Sequence, residues 1–198
     1  NNPLSGVTVT CTGPASGAGI ATATGTTNAS GVATATLTAN STAGGPYTVT
    51  AASGAASATF QLTNSAGAAA SITVNSGGGQ TTPINTAFAA PVSVTVKDAG
   101  NNPLSGVTVT FTGPASGAGI VTATAVTNTS GLASATVTAN PTAGGPYAVT
   151  ATAGSASATF QLTNTPPPVG SITAVSGGGQ TTAANTAFAT PLTVMVKD

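Results

Sequence analysis

Four charged side chains, Lys97, Asp98, Lys197 and Asp198, are all that this chain of 198 residues offers for acid–base chemistry. Catalysis by a nucleophile and a base needs the two side by side. With no His, no Glu and one Asp in each hundred residues, neither a triad nor a carboxylate pair can be assembled locally. Zinc and calcium sites draw on several Cys, His or carboxylate ligands. Asp98 with Asn101 and Asn102 nearby therefore reads as a turn cluster and not as a metal site. The expectation is no catalytic residue, no cofactor and no metal.

Weaker motifs have plainer readings. Gly77-Gly78-Gly79-Gln80 lacks the following Lys and the helix of a phosphate loop, so it reads as a flexible turn. Asn28, Asn40 and Asn128 stand in Asn-x-Ser/Thr sequons and are candidate glycosylation sites, while Asn140 is followed by Pro141 and is excluded. Cys11 is the only cysteine, and its counterpart one hundred residues on is Phe111. It reads as a small buried apolar residue. The ladders Thr8, Thr10, Thr12; Thr22, Thr24, Thr26; and Thr34, Thr36, Thr38 could suggest an ice-binding surface. Thr is also at home on the outer face of any strand, and sheet twist spoils a flat lattice match.

Composition narrows the class of protein. Charged residues make up 2% of the chain and hydrophobic ones 40%, against about 25% charged in average soluble domains. Such a chain should fold. Without a basic stripe, nucleic-acid binding is excluded as an expectation. No apolar run approaches the roughly 20 residues needed to span a bilayer, so no membrane insertion is expected. No signal peptide is visible, and the chain does not begin with Met.

The elements that position these residues are set by an internal period of one hundred. Aligning 1–98 with 101–198 leaves 71 of 98 positions identical. Strict alternation marks strands. Val92, Val94 and Val96 alternate with Ser93, Thr95 and Lys97. Val107, Val109 and Phe111 alternate with Thr108, Thr110 and Thr112. Ala133, Ala135, Val137 and Ala139 form a third inward set, Tyr147, Val149 and Ala151 a fourth, and Ala158, Phe160 and Leu162 a fifth. Ile72 and Val74 suggest a first strand, and 120–127 a weak one. Runs such as Asp98-Ala99-Gly100-Asn101-Asn102-Pro103 and Ala143-Gly144-Gly145-Pro146 supply turns. Short strands punctuated in this way predict an all-β chain of tandem immunoglobulin-like antiparallel β-sandwiches.

The expected division is an incomplete repeat at 1–64 lacking its first two strands, a linker at 65–70, a complete repeat at 71–164, a Pro-rich linker at 165–170, and the first two strands of a third repeat at 171–198. The three prolines Pro166, Pro167 and Pro168 should hold the second linker extended.

The stretch 94–112, Val-Thr-Val-Lys-Asp-Ala-Gly-Asn-Asn-Pro-Leu-Ser-Gly-Val-Thr-Val-Thr-Phe-Thr, resembles bacterial immunoglobulin-like domains of the invasin/intimin type. So do 127–140 and 144–151, in order and at the right spacing. Tyr147-Ala148-Val149 looks like the Tyr-x-Cys of immunoglobulin strand F with Val in place of Cys, so no inter-sheet disulfide is implied. The resemblance implies an extracellular protein of the cell surface, in which such domains stack as the stalk of an adhesin.

The ends of the chain are in complementary phase. The terminal strands could be completed by adjoining repeats of a longer polypeptide, or by strand complementation between copies in a head-to-tail filament. The sequence is thus read as a structural repeat of an extracellular fibre or surface stalk. Its expected partners are copies of itself or adjoining repeats, with possible covalent glycans. A carbohydrate-binding appendage is the alternative, with an ice-binding surface behind it.

Overall fold

The protein is described here by a computed structural model covering residues 2–198. Residue 1, the first position of the expected 1–64 unit, lies outside the described residues. Among those residues the structure is all β, with no helix. Thr, Val and Ala alternating over five to ten residues leave little else, because one face of each segment is apolar and the other hydroxyl-rich.

The central region is a closed sandwich. Its first sheet has the order β10-β7-β5, built from β5 (Ser71–Ser76), β7 (Val92–Lys97) and β10 (Leu132–Ala135). The facing sheet has the order β6-β12-β11-β8-β9. Its strands are β6 (Thr81–Pro83), β8 (Thr108–Thr112), β9 (Ala123–Val126), β11 (Gly144–Ala153) and β12 (Ala156–Thr165). Val92, Val94 and Val96 from one sheet and Val109, Phe111, Val149, Phe160 and Leu162 from the other fill a single core. Burying side chains of this kind stabilises by about 1.5–3 kcal/mol each.

The short strand β6 is not foreseen by alternation. Thr81, Thr82 and Pro83 pair parallel with Thr163, Asn164 and Thr165 of β12, so the chain crosses from one sheet to the edge of the other between β5 and β7. A three-residue run carrying a proline has no period to read. Proline is tolerated there because β6 is an edge strand. Residues 71–97 thus supply three strands to the central sandwich, where two were expected. The weak strand expected over 120–127 narrows to β9, preceded by an isolated bridge from Ile120 to Ala139.

Residues 8–64 form one sheet only, of order β2-β1-β3-β4, with β1 (Thr8–Thr12), β2 (Ala23–Thr26), β3 (Gly44–Ser53) and β4 (Ala56–Asn64). Its β3/β4 pairing has the same register as β11/β12, including the irregularity after Gly44 and Gly144. At the other end, β13 (Ser171–Ser176) and β14 (Thr193–Lys197) make a two-stranded sheet. It repeats the β5/β7 register from Ser171 opposite Lys197 to Ser176 opposite Thr193.

Candidate functional site

Two apolar surfaces stand open, and each has a closed counterpart in the central sandwich. On the first sheet, Val9, Cys11, Ala35, Leu37, Phe60 and Leu62 line a cleft of about 300 Å³. Phe60 is 55% exposed there, whereas Phe160, in the identical segment Ala-Ser-Ala-Thr-Phe-Gln-Leu-Thr-Asn, is 2% exposed. On the terminal hairpin, Phe188, Leu192, Val194 and Val196 face outward, while Phe88, Val92, Val94 and Val96 are buried. What covers Phe160 and its neighbours in the central repeat is the hairpin β5/β7 with the Phe88 segment. The terminal hairpin therefore carries the residue types, in the same register, that close a sheet like the first one.

A buried polar knot closes the linker end of the first and central units. In the central repeat the Tyr147 hydroxyl donates to Asn164 Oδ1 at 2.6 Å, with the Gly119 carbonyl at 3.1 Å. Asn164 Nδ2 donates to the carbonyls of Gly119 and Thr142 and to Asn140 Oδ1. Burial raises the Tyr147 pKa above its ordinary value, against the opposing effect of the Asn164 hydrogen bond. Tyr47, Asn64 and Asn40 repeat the arrangement in the first unit. Sequence reading assigned Tyr147 to the core but missed Asn64 and Asn164. The only signal was their recurrence one hundred residues apart, at the ends of strands.

The sequon residues are placed differently from one another. Asn28 and Asn128 are exposed, and their Oδ1 atoms accept turn N–H groups from Ser30 and Val32 and from Ser130 and Leu132. Asn40 is engaged on both sides of its amide. Its Nδ2 donates to the Gly17 carbonyl at 2.8 Å, and its Oδ1 accepts from Gly19, Thr42 and Asn64. Cys11 is buried against Tyr47 and Val49 and is free. Of the Thr ladders, Thr34, Thr36 and Thr38 lie in no strand, so the three ladders do not line one sheet.

The Gly77–Gly79 turn is clamped by Gln80. Its Nε2 donates to the Gly77 and Ala90 carbonyls, and its Oε1 accepts from the Ala90 N–H. No group of three or more His, Cys, Asp or Glu side chains comes together among the described residues. The Asp98 carboxylate is occupied by N–H donors. Oδ1 accepts from Asn102 N at 2.8 Å, Oδ2 accepts from Gly67 N at 2.8 Å, and Asn102 Nδ2 reaches both oxygens at 2.9–3.0 Å. The Asn102 side chain, then the backbone N–H groups of Gly67 and Asn102, hold its pKa below the ordinary carboxylate value. Asn101 has φ near +66°, a conformation that Asn accepts more readily than most residues.

Among solved structures, domains 4–9 of the surface layer protein SbsC match with 21% identity and a TM-score of 0.39, covering 84% of this chain and 25% of theirs. The D0-D1 domain of intimin matches with 21% identity and a TM-score of 0.37, covering 83% of this chain and 84% of that one. Invasin, described as a bacterial integrin-binding protein, matches with 24% identity and a TM-score of 0.38, covering 88% of this chain and 36% of its own length. This chain thus spans about a quarter of the SbsC fragment. No curated protein sequence matches. The profile of the bacterial Ig-like domain (group 1) family matches residues 89–163, which run from the strand β7 segment through most of β12. The central sandwich of this chain is accordingly similar to bacterial Ig-like domains of group 1.

Proposed function

We propose that this chain is a structural stretch of an extracellular fibre or cell-surface adhesin stalk, a scaffold and spacer whose sandwiches are completed by neighbouring repeat segments. The observation that carries this reading is the match between the open sheet of residues 8–64 and the terminal hairpin. Each repeats part of the closed central sandwich in the same register, with most of its apolar positions kept. A two-stranded sheet is marginal by itself in water, and a large exposed apolar patch marks an interaction surface. The neighbouring segment is either the next repeat of a longer polypeptide or a second copy joined head to tail. A nearly neutral, hydroxyl-rich exterior suits a spacer that needs no charged ligand.

The test uses the full chain in three forms. Val194→Asp spoils the hairpin face and Phe60→Asp spoils the open sheet. Both positions are about half exposed in the free chain, so neither change should unfold it. Head-to-tail closure predicts extended oligomers for the unmodified chain in the ultracentrifuge, monomers for each variant alone, and a discrete dimer when the two variants are mixed. An unmodified chain that stays monomeric at high concentration rules out closure between copies and leaves closure along a longer polypeptide. Electron micrographs of the native material showing compact particles in place of rods would overturn the stalk reading itself.

A further inference from the structure

The first two units touch outside their covalent link, and one carboxylate organises the contact. Ala43 N–H, on the first unit, donates to Asn102 Oδ1 at 2.9 Å, and Asn102 Nδ2 donates to the Ser41 carbonyl at 2.8 Å. Asn102 is in turn held by Asp98, which also receives the Gly67 N–H from the linker. Gly100 lies so close that a Cβ there would stand 2.3 Å from the Ser41 oxygen. Behind the Ser41–Ala43 loop, Asn40 Oδ1 accepts the Thr42 N–H, and Asn64 ties that loop to Tyr47 in the first core. A continuous hydrogen-bonded strut thus runs from Tyr47 through Asn64, the 40–43 loop and Asn102 to Asp98.

We infer that Asp98 and Asn102 form a latch that fixes the angle between successive repeats and that protonation of Asp98 releases it without unfolding either repeat. The carboxylate acts purely as an acceptor, and hydrogen bonds to an ionised acceptor are stronger than neutral ones. Once protonated it becomes a donor at one oxygen and no longer suits the N–H groups aimed at it. No competing titration obscures the effect. The linker 65–70, the loop 41–43 and the turn 99–103 carry no titratable side chain. Lys97 precedes Asp98 on its own strand, and Lys197 and Asp198 belong to the terminal hairpin. The latched form binds its proton less readily than a free carboxylate, since the pKa is lowered. The latch is therefore fully present above the ordinary Asp value of about 4 and is lost as pH falls through the lowered value.

The second linker cannot repeat the arrangement in full. Pro167 stands where Gly67 stands, and proline has no N–H to donate. A junction built on residues 165–170 therefore lacks the linker arm of the latch, so the two kinds of junction differ in how firmly they are held.

Amide hydrogen exchange read by mass spectrometry on the full chain tests the proposal. At pH 7 the segments holding Ala43 and Gly67 should be protected relative to their intrinsic rates. At acid pH, below the ordinary Asp value of about 4 and through the lowered one, that protection should fall by about tenfold, while segments from β7 and β11 keep theirs. Asp98→Asn should show the loosened junction at both pH values, and Asp198→Asn should behave as the unmodified chain. Gly100→Ala, which keeps every donor and acceptor but wedges the contact, should loosen Ala43 at pH 7. Junction protection that survives acid, or Asp98→Asn protected as fully as the unmodified chain at pH 7, would overturn the latch. Retained β7 and β11 protection separates these outcomes from simple unfolding.

Discussion

The rings of Phe111 and Phe160 meet on the inner face of the five-stranded sheet, centroids 6.2 Å apart and planes inclined by 50°. They flank β11, where Ala151 pairs with Phe111 and Val149 with Phe160. A tilted aromatic pair of this kind adds about 0.5–1.5 kcal/mol to the burial of its rings. The core around this pair is mostly Val, Leu and Ala, with Phe88, Ile120 and Tyr147 as its other large side chains.

Phe111→Ala is therefore expected to destabilise the central repeat by about 3–5 kcal/mol. Phe111→Cys, which installs the residue found at position 11, should cost nearly as much. Denaturant titration of each variant, with the slope of the transition held against the unmodified chain, measures the difference. A loss below roughly 1 kcal/mol would show that the pair does not anchor the core.

Asn164→Ala removes the hub of the buried knot. It strips the Thr142 carbonyl of its side-chain donor and leaves the Tyr147 hydroxyl only the longer bond to the Gly119 carbonyl, and a buried group left unpaired costs about 1–3 kcal/mol. Tyr147→Phe deletes one side only and should be the milder change. Thermal unfolding of the two variants and of the pair combined would reveal the coupling, since residues in one network do not add.

Stability of the central repeat should be nearly level through neutral pH, because Lys97, Asp98 and Tyr147 are its only titratable side chains. The alkaline limit is set by Tyr147. Its pKa is raised in the folded state by burial, so the unfolded chain loses that proton first. Stability is then full below the ordinary tyrosine value of about 10 and declines as pH rises past it. Tyr147→Phe should abolish the decline, as followed by denaturant midpoint against pH.

At the linker, Gly67→Ala and Gly67→Pro separate bulk from hydrogen bonding. A Cβ at Gly67 would meet Asp98 Oδ2 at 3.7 Å, an ordinary contact, so the alanine form should keep the bond to the carboxylate. The proline form loses the N–H and should resemble the 165–170 linker. Small-angle scattering is expected to give a broader distribution of maximum dimension for Gly67→Pro than for Gly67→Ala. Equal curves would assign the linker N–H no part in fixing the junction.

Gly131 has φ near +75°, and an added Cβ would lie 2.6 Å from the Val96 carbonyl oxygen. Gly131→Ala should strain the turn and pry β10 from β7, at a cost above the roughly 1 kcal/mol of an ordinary left-handed substitution. Loss of exchange protection confined to 132–135 and 92–97 is the expected signature.

Much of this protein is written in its order of residues. The period of one hundred, the inward Val, Ala and Phe sets and the turns at Gly and Asn specify strands and faces locally, because side chains alternate by geometry alone. That is why Val92, Val94 and Val96 could be assigned to a core without coordinates. What alternation cannot specify is the partner. Leu132–Ala135 is a strand because β7 lies beside it, yet residues 32–35, nearly the same in sequence, form none. Strand β6, the Asn164 knot and the contact of Asn102 with Ser41 and Ala43 likewise join residues far apart in the chain. A β-strand satisfies its backbone only against another segment, so those features were decided by which segments the fold brought together.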